Sequence, residues 1–278
     1  MPKLFLKARW EHLILVTYKV DPDILTQYLP KGLELDTIDG DAFVSVVGFN
    51  FHDTTVKGLR VPFHVNFPEI NLRFYVKQSS PPDPSPSGRG ESNAEKFEDI
   101  SLSPFRRGDR PACRSYGAGR GEVRRGVVFI REFVPRYFIS LFANLFYNEN
   151  YRSVSMNSEL KINDDKIYAD YGINLNGKFY NISIEAENKT FKPSVNSTEH
   201  YFKEHEWGFG ATRKRESLVY RVEHPNWEVY PIISFKNTID FGLIYGKKWH
   251  FLNNEKPYNI AFAKGSPVKV FSAEKLLY

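Results

Sequence analysis

Cysteine is almost missing: Cys113 is the one thiol in 278 residues. An internal disulfide and a cysteine-based zinc site are thereby excluded. Long apolar runs are missing too, and no stretch approaches the ~18 apolar residues of a membrane helix. The opening Met1-Pro2-Lys3-Leu4-Phe5-Leu6-Lys7-Ala8-Arg9 is broken by charge too often for the apolar region of a signal peptide. A dense basic stripe is absent as well. The net charge is +5, but 8 of the 17 arginines fall within 79–126, beside 7 acidic residues. The expectation is a cytoplasmic protein that binds neither nucleic acid nor a membrane. Catalytic signatures are also lacking: no nucleophile elbow, no P-loop, no dinucleotide-binding glycine fingerprint, no His-Glu-x-x-His. No cofactor and no metal is therefore expected. The seven histidines show no ligand spacing; His200 and His205, five apart amid glutamates, read as a satisfied surface cluster.

What is present is material for a core, with 41% hydrophobic and 15% aromatic residues. One block departs from this. Residues 79–126 hold 6 of 17 prolines and 7 of 18 glycines, and Ile, Leu and Val appear there only as Ile100, Leu102 and Val123. Such a stretch cannot bury enough apolar surface to offset chain entropy. We read 79–125 as a disordered insertion in a single domain that spans 1–278. Cys113 is then an exposed thiol.

The remainder alternates in strand fashion. Strands are expected at 10–18, 33–36, 42–49, 64–77 and 127–134. A short helix over 24–29, capped by Asp21 with Pro22 behind it, lies between the first two. Pro135 opens a helix to about 147 whose Phe138, Leu141, Phe142 and Leu145 recur at helical spacing. A meander follows over 154–162, 167–173 and 179–187. Its second turn is Asn176-Gly177, the strongest short hairpin signal. Further strands are expected at 207–212, 218–223, 228–234 and 268–271. The fold class is mainly antiparallel β with a few helices, closed into a barrel or packed in two layers to protect its strand edges.

One strand carries chemistry on a face. In Pro68-Glu69-Ile70-Asn71-Leu72-Arg73-Phe74-Tyr75-Val76, the even positions from Ile70 to Val76 are apolar. Glu69, Asn71, Arg73 and Tyr75 share the other face. That face either meets solvent, as antiparallel sheets allow, or lines the interior of a barrel. In the second case Arg73 can grip a carboxylate with two prongs. Glu69 would hold Arg73 or carry a proton, and Tyr75 would donate a hydrogen bond. A second candidate is the strand-to-helix junction Arg131-Glu132-Phe133-Val134-Pro135-Arg136-Tyr137. Arg136 stands in a first helical turn, where the helix dipole does not favour it, so it wants an acidic partner. A third is His224-Pro225-Asn226-Trp227, read most simply as a strand stop with Trp227 as a core plug.

These segments, taken in order, resemble the YqjF-like family of unknown function within the acetoacetate decarboxylase-like superfamily. The resemblance rests on Trp10-Glu11-His12-Leu13, the stretch over 21–36, Asp39-Gly40-Asp41-Ala42-Phe43-Val44-Ser45 and Glu69 to Val76. Gly126-Val127-Val128-Phe129, His224 to Trp227 and Gly265-Ser266-Pro267-Val268 complete it. It implies an acetoacetate decarboxylase-like barrel or cone with an internal cavity. The decarboxylases use a Schiff-base lysine beside a second lysine. The comparable positions here hold Arg136 and Tyr137, and arginine cannot form that imine at neutral pH. The expected activity is therefore the binding of a small anionic oxo- or carboxylate metabolite by Glu69, Asn71, Arg73, Tyr75 and Arg136. Two alternatives stay open. One is a lysine-independent lyase or hydratase with Glu69 or Glu132 as acid/base. The other is a non-catalytic structural or partner-binding protein. A homo-oligomer is left open as well.

Overall fold

The computed structural model describes residues 2–60, 65–78, 123–135, 151–212 and 214–277. The expected helix over 135–147, Arg136, Cys113 and nearly all of the expected insertion lie outside the described residues.

Two long strands form the backbone of the fold, β1 (Leu4–Val20) and β3 (Ala42–Val56). Between them run α1 (Pro22–Thr26) and β2 (Leu33–Leu35). Asp21 caps α1 by accepting from the Asp23 N–H, with Pro22 in its first turn. The helix ends at Thr26, short of the expected residue 29. Lys57 and Gly58, both at positive φ, then turn the chain into β4 (Leu59–Arg60). Strand β5 (Phe67–Gln78) pairs antiparallel with β3, and β2 extends that side of β5 past the end of β3. On its other side β5 pairs with β6 (Arg125–Val134). The short β7 (Tyr151–Ser153) borders β6.

The meander forms as expected, with β8 (Ser155–Ile162), β9 (Lys166–Leu175) and β10 (Lys178–Glu187). Asn176 and Gly177 take φ of 54° and 75° in its second turn, which suits the twist of a tight hairpin. Next come α2 (Thr198–Lys203), β11 (Trp207–Ala211) and β12 (Ser217–Glu223). The strand expected at 228–234 lies later, as β13 (Ile232–Asn237); Val229 makes only isolated bridges, to Phe191 and Ala263. Then follow α3 (Phe241–Tyr245), a 3-10 turn at Lys247–Asn253, β14 (Asn259–Phe271) and β15 (Glu274–Lys275).

Strands β5, β3, β1, β14, β12, β11 and β6 are each paired to the next, and β6 pairs back to β5. The sheet is therefore a closed ring, and closure removes free edges. The pairings that close the ring are antiparallel except β11 with β6, and β7 at the border of β6 is also parallel to it. At His12 (φ 56°) β1 bulges, and its register with β3 shifts there. Gly265 faces the bulge at φ 84°; a Cβ there would sit 2.0 Å from the Trp10 carbonyl oxygen, so only glycine fits.

The four-stranded sheet β13-β10-β9-β8 packs on the outside of the ring. Its Ile167, Ala169, Tyr171, Ile182 and Ile184 meet Ile14, Val16, Val46, Ile70, Leu72 and Phe74 in one buried cluster. Trp249 and Phe241 fill the end of this layer without exposure. A second cluster lies within the ring and includes Leu13, Leu15, Val47, Phe49, Val222, Ala261 and Ala263.

The ends of the expected insertion meet on adjacent strands: the Gln78 N–H donates to the Arg124 carbonyl at 2.8 Å, and Lys77 pairs with Arg125. Replacing 79–123 by Asn-Gly should therefore convert β5–β6 into an ordinary hairpin. We expect a melting temperature within about 3 °C of the parent chain, since loop length alone costs little. A loss of cooperative melting would show that the segment is integral to the fold.

Candidate ligand site

The register of the ring stacks its inner side chains in rows. Asn259 on β14 lies opposite Thr17 on β1, Thr17 opposite Ser45 on β3, Ser45 opposite Arg73 on β5, and Arg73 opposite Phe129 on β6. The next row reads Ala261, Leu15, Val47, Asn71 and Glu132. Residues directly opposite share a sheet face. The first row is thus polar across four strands. The second is apolar on β14, β1 and β3 and polar on β5 and β6.

The polar members are enclosed. Thr17, Ser45, Glu69, Asn71, Tyr75 and Glu132 are all buried. Thr17 and Ser45 hydroxyls lie 2.7 Å apart, and Ser45 meets the Tyr75 hydroxyl at 2.5 Å, a hydroxyl chain across three strands. Asn71 Nδ2 donates to Glu69 Oε1 at 2.9 Å, and the Tyr151 hydroxyl donates to Glu69 Oε2 at 3.3 Å. Asn71 Oδ1 and Arg73 Nε are shielded from solvent and meet no hydrogen-bond partner among the described residues. Leaving such a group unpaired costs about 1–3 kcal/mol.

The face bearing Glu69, Asn71, Arg73 and Tyr75 is therefore not a solvated one. The outer sheet covers Ile70, Leu72 and Phe74, while ring closure encloses the polar side. A register shift between β5 and β6 at Leu72/Arg73 separates two neighbours on β6. Arg131 pairs with outward-facing Leu72 and donates to the Ile244 carbonyl at 2.8 Å, while Glu132 sits opposite Asn71 on the inside. Arg136 lies outside the described residues.

Helix α2 stops one end of the ring. Phe202 packs with Phe43, Tyr75 and Val127, and its carbonyl accepts from Arg73 Nη2 at 3.3 Å. Three residues on, the chain turns His205 against the Tyr75 ring, 4.8 Å between centroids, and near Tyr201 at 5.7 Å. The expectation of a surface histidine cluster fails for His205. The six-residue helix and the following turn carry His205 under the polar row, and its Nδ1 is enclosed without a partner among the described residues. Burial pushes the His205 pKa down to about 3, with the positive charges of Arg73 and Arg125 and nearby His224 adding to it. The imidazole is therefore neutral. Arg125 Nε lies 3.5 Å from buried Asp36 Oδ2. Burial also raises the Tyr201 pKa, helped by the Asp36 charge, so that hydroxyl keeps its proton.

One more buried group escaped sequence reasoning. Lys203 is buried at the end of α2, ion-paired with Glu204, which also accepts the Trp227 N–H at 3.2 Å. Trp227 is buried as expected, and His224 stacks on it at 4.1 Å. No three His, Cys, Asp or Glu side chains come together to hold a metal among the described residues. Nor is any helix among them long and apolar enough to cross a membrane.

Comparison with known proteins follows the same architecture. The model of the family DUF2071, described as an uncharacterized conserved protein, matches residues 7–85 and 109–267. The break between the two matched segments falls within 79–125, the expected insertion. Uncharacterized protein YqjF of Bacillus subtilis (strain 168) is 35% identical over 78 residues, which are 28% of this chain and 32% of that relative's length. Among solved structures, an acetoacetate decarboxylase-like enzyme from Sphingomonas wittichii RW1 superposes with a TM-score of 0.58 at 11% identity, covering 98% of this chain and 93% of its own. Acetoacetate decarboxylase from Legionella pneumophila gives 0.57 at 9% identity, covering 99% and 88%. The enduracididine biosynthesis enzyme MppR complexed with pyruvate gives 0.55 at 10% identity, covering 100% and 91%. At these identities the likeness establishes the fold.

Proposed function

This chain belongs to DUF2071, an uncharacterized family whose fold here is that of acetoacetate decarboxylase, and we propose that it binds a small anionic oxo- or carboxylate metabolite inside the ring. One observation carries the reading. Asn71 Oδ1 and Arg73 Nε are enclosed on the inner wall without partners among the described residues, next to Glu69, Tyr75 and Glu132. A carboxylate on the guanidinium and a hydrogen-bond donor such as a hydroxyl facing Asn71 Oδ1 would complete these groups. The apolar wall of Leu15, Val47 and Ala261 opposite would take the hydrocarbon part of such a molecule. That one structural neighbour is described as complexed with pyruvate agrees in ligand size. We place Arg136 among the ligand groups on the sequence reading alone. The same reading makes the chain independent of a Schiff-base lysine and sets it in the cytoplasm.

The test is a thermal-shift screen against small oxo and hydroxy acids, with Arg73→Ala in parallel. A ligand that binds only the folded chain must raise its melting point, by about 2.7 kcal/mol of stability at a hundredfold excess over Kd. We expect a rise in the parent chain that Arg73→Ala abolishes. No rise with any acid would transfer the weight to a structural or partner-binding protein.

A further inference from the structure

We propose that His205 is a second anchor of this interior site, and that it takes up one proton from solvent when a small carboxylate binds beside Arg73. The inference deepens the function proposed above and rests on it. Three observations meet here. The Phe202 carbonyl accepts from Arg73 at 3.3 Å and is also the backbone acceptor facing the His205 ring, so both side chains gather about one peptide group. The Tyr75 ring lies against both, 6.0 Å from the Arg73 guanidinium carbon and 4.8 Å from the His205 centroid. Arg73 Nε and His205 Nδ1 are each enclosed and without a partner among the described residues.

A neutral imidazole carries one N–H and one lone pair, and the lone pair repels a carboxylate oxygen; a protonated ring presents donors at both nitrogens, so enclosed Nδ1 can then donate. Charge decides between them. The groups facing His205 are Arg73 from β5, Arg125 from β6, and His224 beyond β12, all of which oppose its protonation. The Tyr75 and Tyr201 rings lie beside it, and Asp36 is engaged with Arg125. An anion on Arg73 cancels the nearest opposing charge and supplies an acceptor for the new N–H. One negative charge and one proton enter together, so the enclosed site gains no net charge.

Calorimetric titration of pyruvate into the full chain at about pH 5, in two buffers of different ionisation enthalpy, counts the protons bound. We expect close to one proton per pyruvate in the parent chain, and none in His205→Gln, whose affinity is weaker by about tenfold. Binding without proton uptake would overturn the role of His205 while leaving the ligand site intact, as would undiminished uptake in His205→Gln. Failure of pyruvate and of every acid in the panel to bind would remove both readings. Should His205→Gln not fold, the ring nitrogens of His205 in the parent chain, followed by NMR at the same pH, give the answer. A change from the neutral to the protonated signature on adding pyruvate is expected, and a neutral ring throughout would overturn the proposal.

Discussion

Gly126→Ala should destabilise the chain by about 3 kcal/mol or more, at the upper end of overpacking costs. A Cβ at Gly126 would lie 2.2 Å from the Trp207 carbonyl oxygen, 2.8 Å from its carbon and 2.7 Å from Phe209 Cε2. The obstacle is the backbone of the paired strand, not the end of a flexible side chain. Strand β11 meets β6 only at Trp207, Gly208 and Phe209 against Gly126, Val127 and Val128. Parting them by the required distance breaks the one parallel junction that closes the ring. Gly58→Ala is the contrast: φ is +81° but nothing lies within 4 Å. Its cost is only that of left-handed backbone, about 1 kcal/mol. Urea denaturation of both variants measures the difference. A Gly126→Ala chain within about 1 kcal/mol of the parent would mean that β6 and β11 can separate without loss, contrary to a tightly closed ring.

Acid should destabilise the chain well above the range in which carboxylates titrate. In the unfolded chain His205 takes a proton near pH 6.5, while in the folded chain it resists until about 3. Between these values the unfolded state holds the extra proton, so stability rises with pH, is complete above 6.5 and drains away as pH falls toward 3. At about 1.4 kcal/mol per pH unit the ceiling is about 5 kcal/mol, and local relaxation around the ring makes about half of that the working figure. Burial lowers the pKa of His12 and His200 as well, and they act in the same direction. His205→Gln should thus flatten the slope of unfolding free energy against pH between 6.5 and 3 without abolishing it. A slope unchanged by the substitution would mean that His205 protonates freely in the folded chain.

The alternation along β5 was legible because a two-residue period needs only local sequence. Ile70, Leu72, Phe74 and Val76 fell on the outer core, and Glu69, Asn71, Arg73 and Tyr75 on the other face, as read. What the pattern could not contain was whether that polar face is wet. This depends on β6 returning to pair with β5 across the expected insertion, and on β11 joining β6 in parallel. Neither pairing is written in local periodicity. The same limit hid His205. Helix α2 has six residues, too few for a helical period to emerge, and the glutamates around His205 mimic a solvated surface run. Helix α3 and the 3-10 turn after it were missed for the same reason, although Phe241, Trp249 and Leu252 are fully enclosed. The Asn176-Gly177 turn, the Asp21 cap and buried Trp227 were readable because each is settled by neighbours in sequence.

The account stands or falls on whether the inner wall of the ring holds a small acid. A crystal structure of the full chain grown with pyruvate tests this directly. It should show the carboxylate within hydrogen-bond distance of Arg73 and of a His205 ring nitrogen. A ring interior filled by its own side chains, with pyruvate absent at saturating concentration, would contradict it.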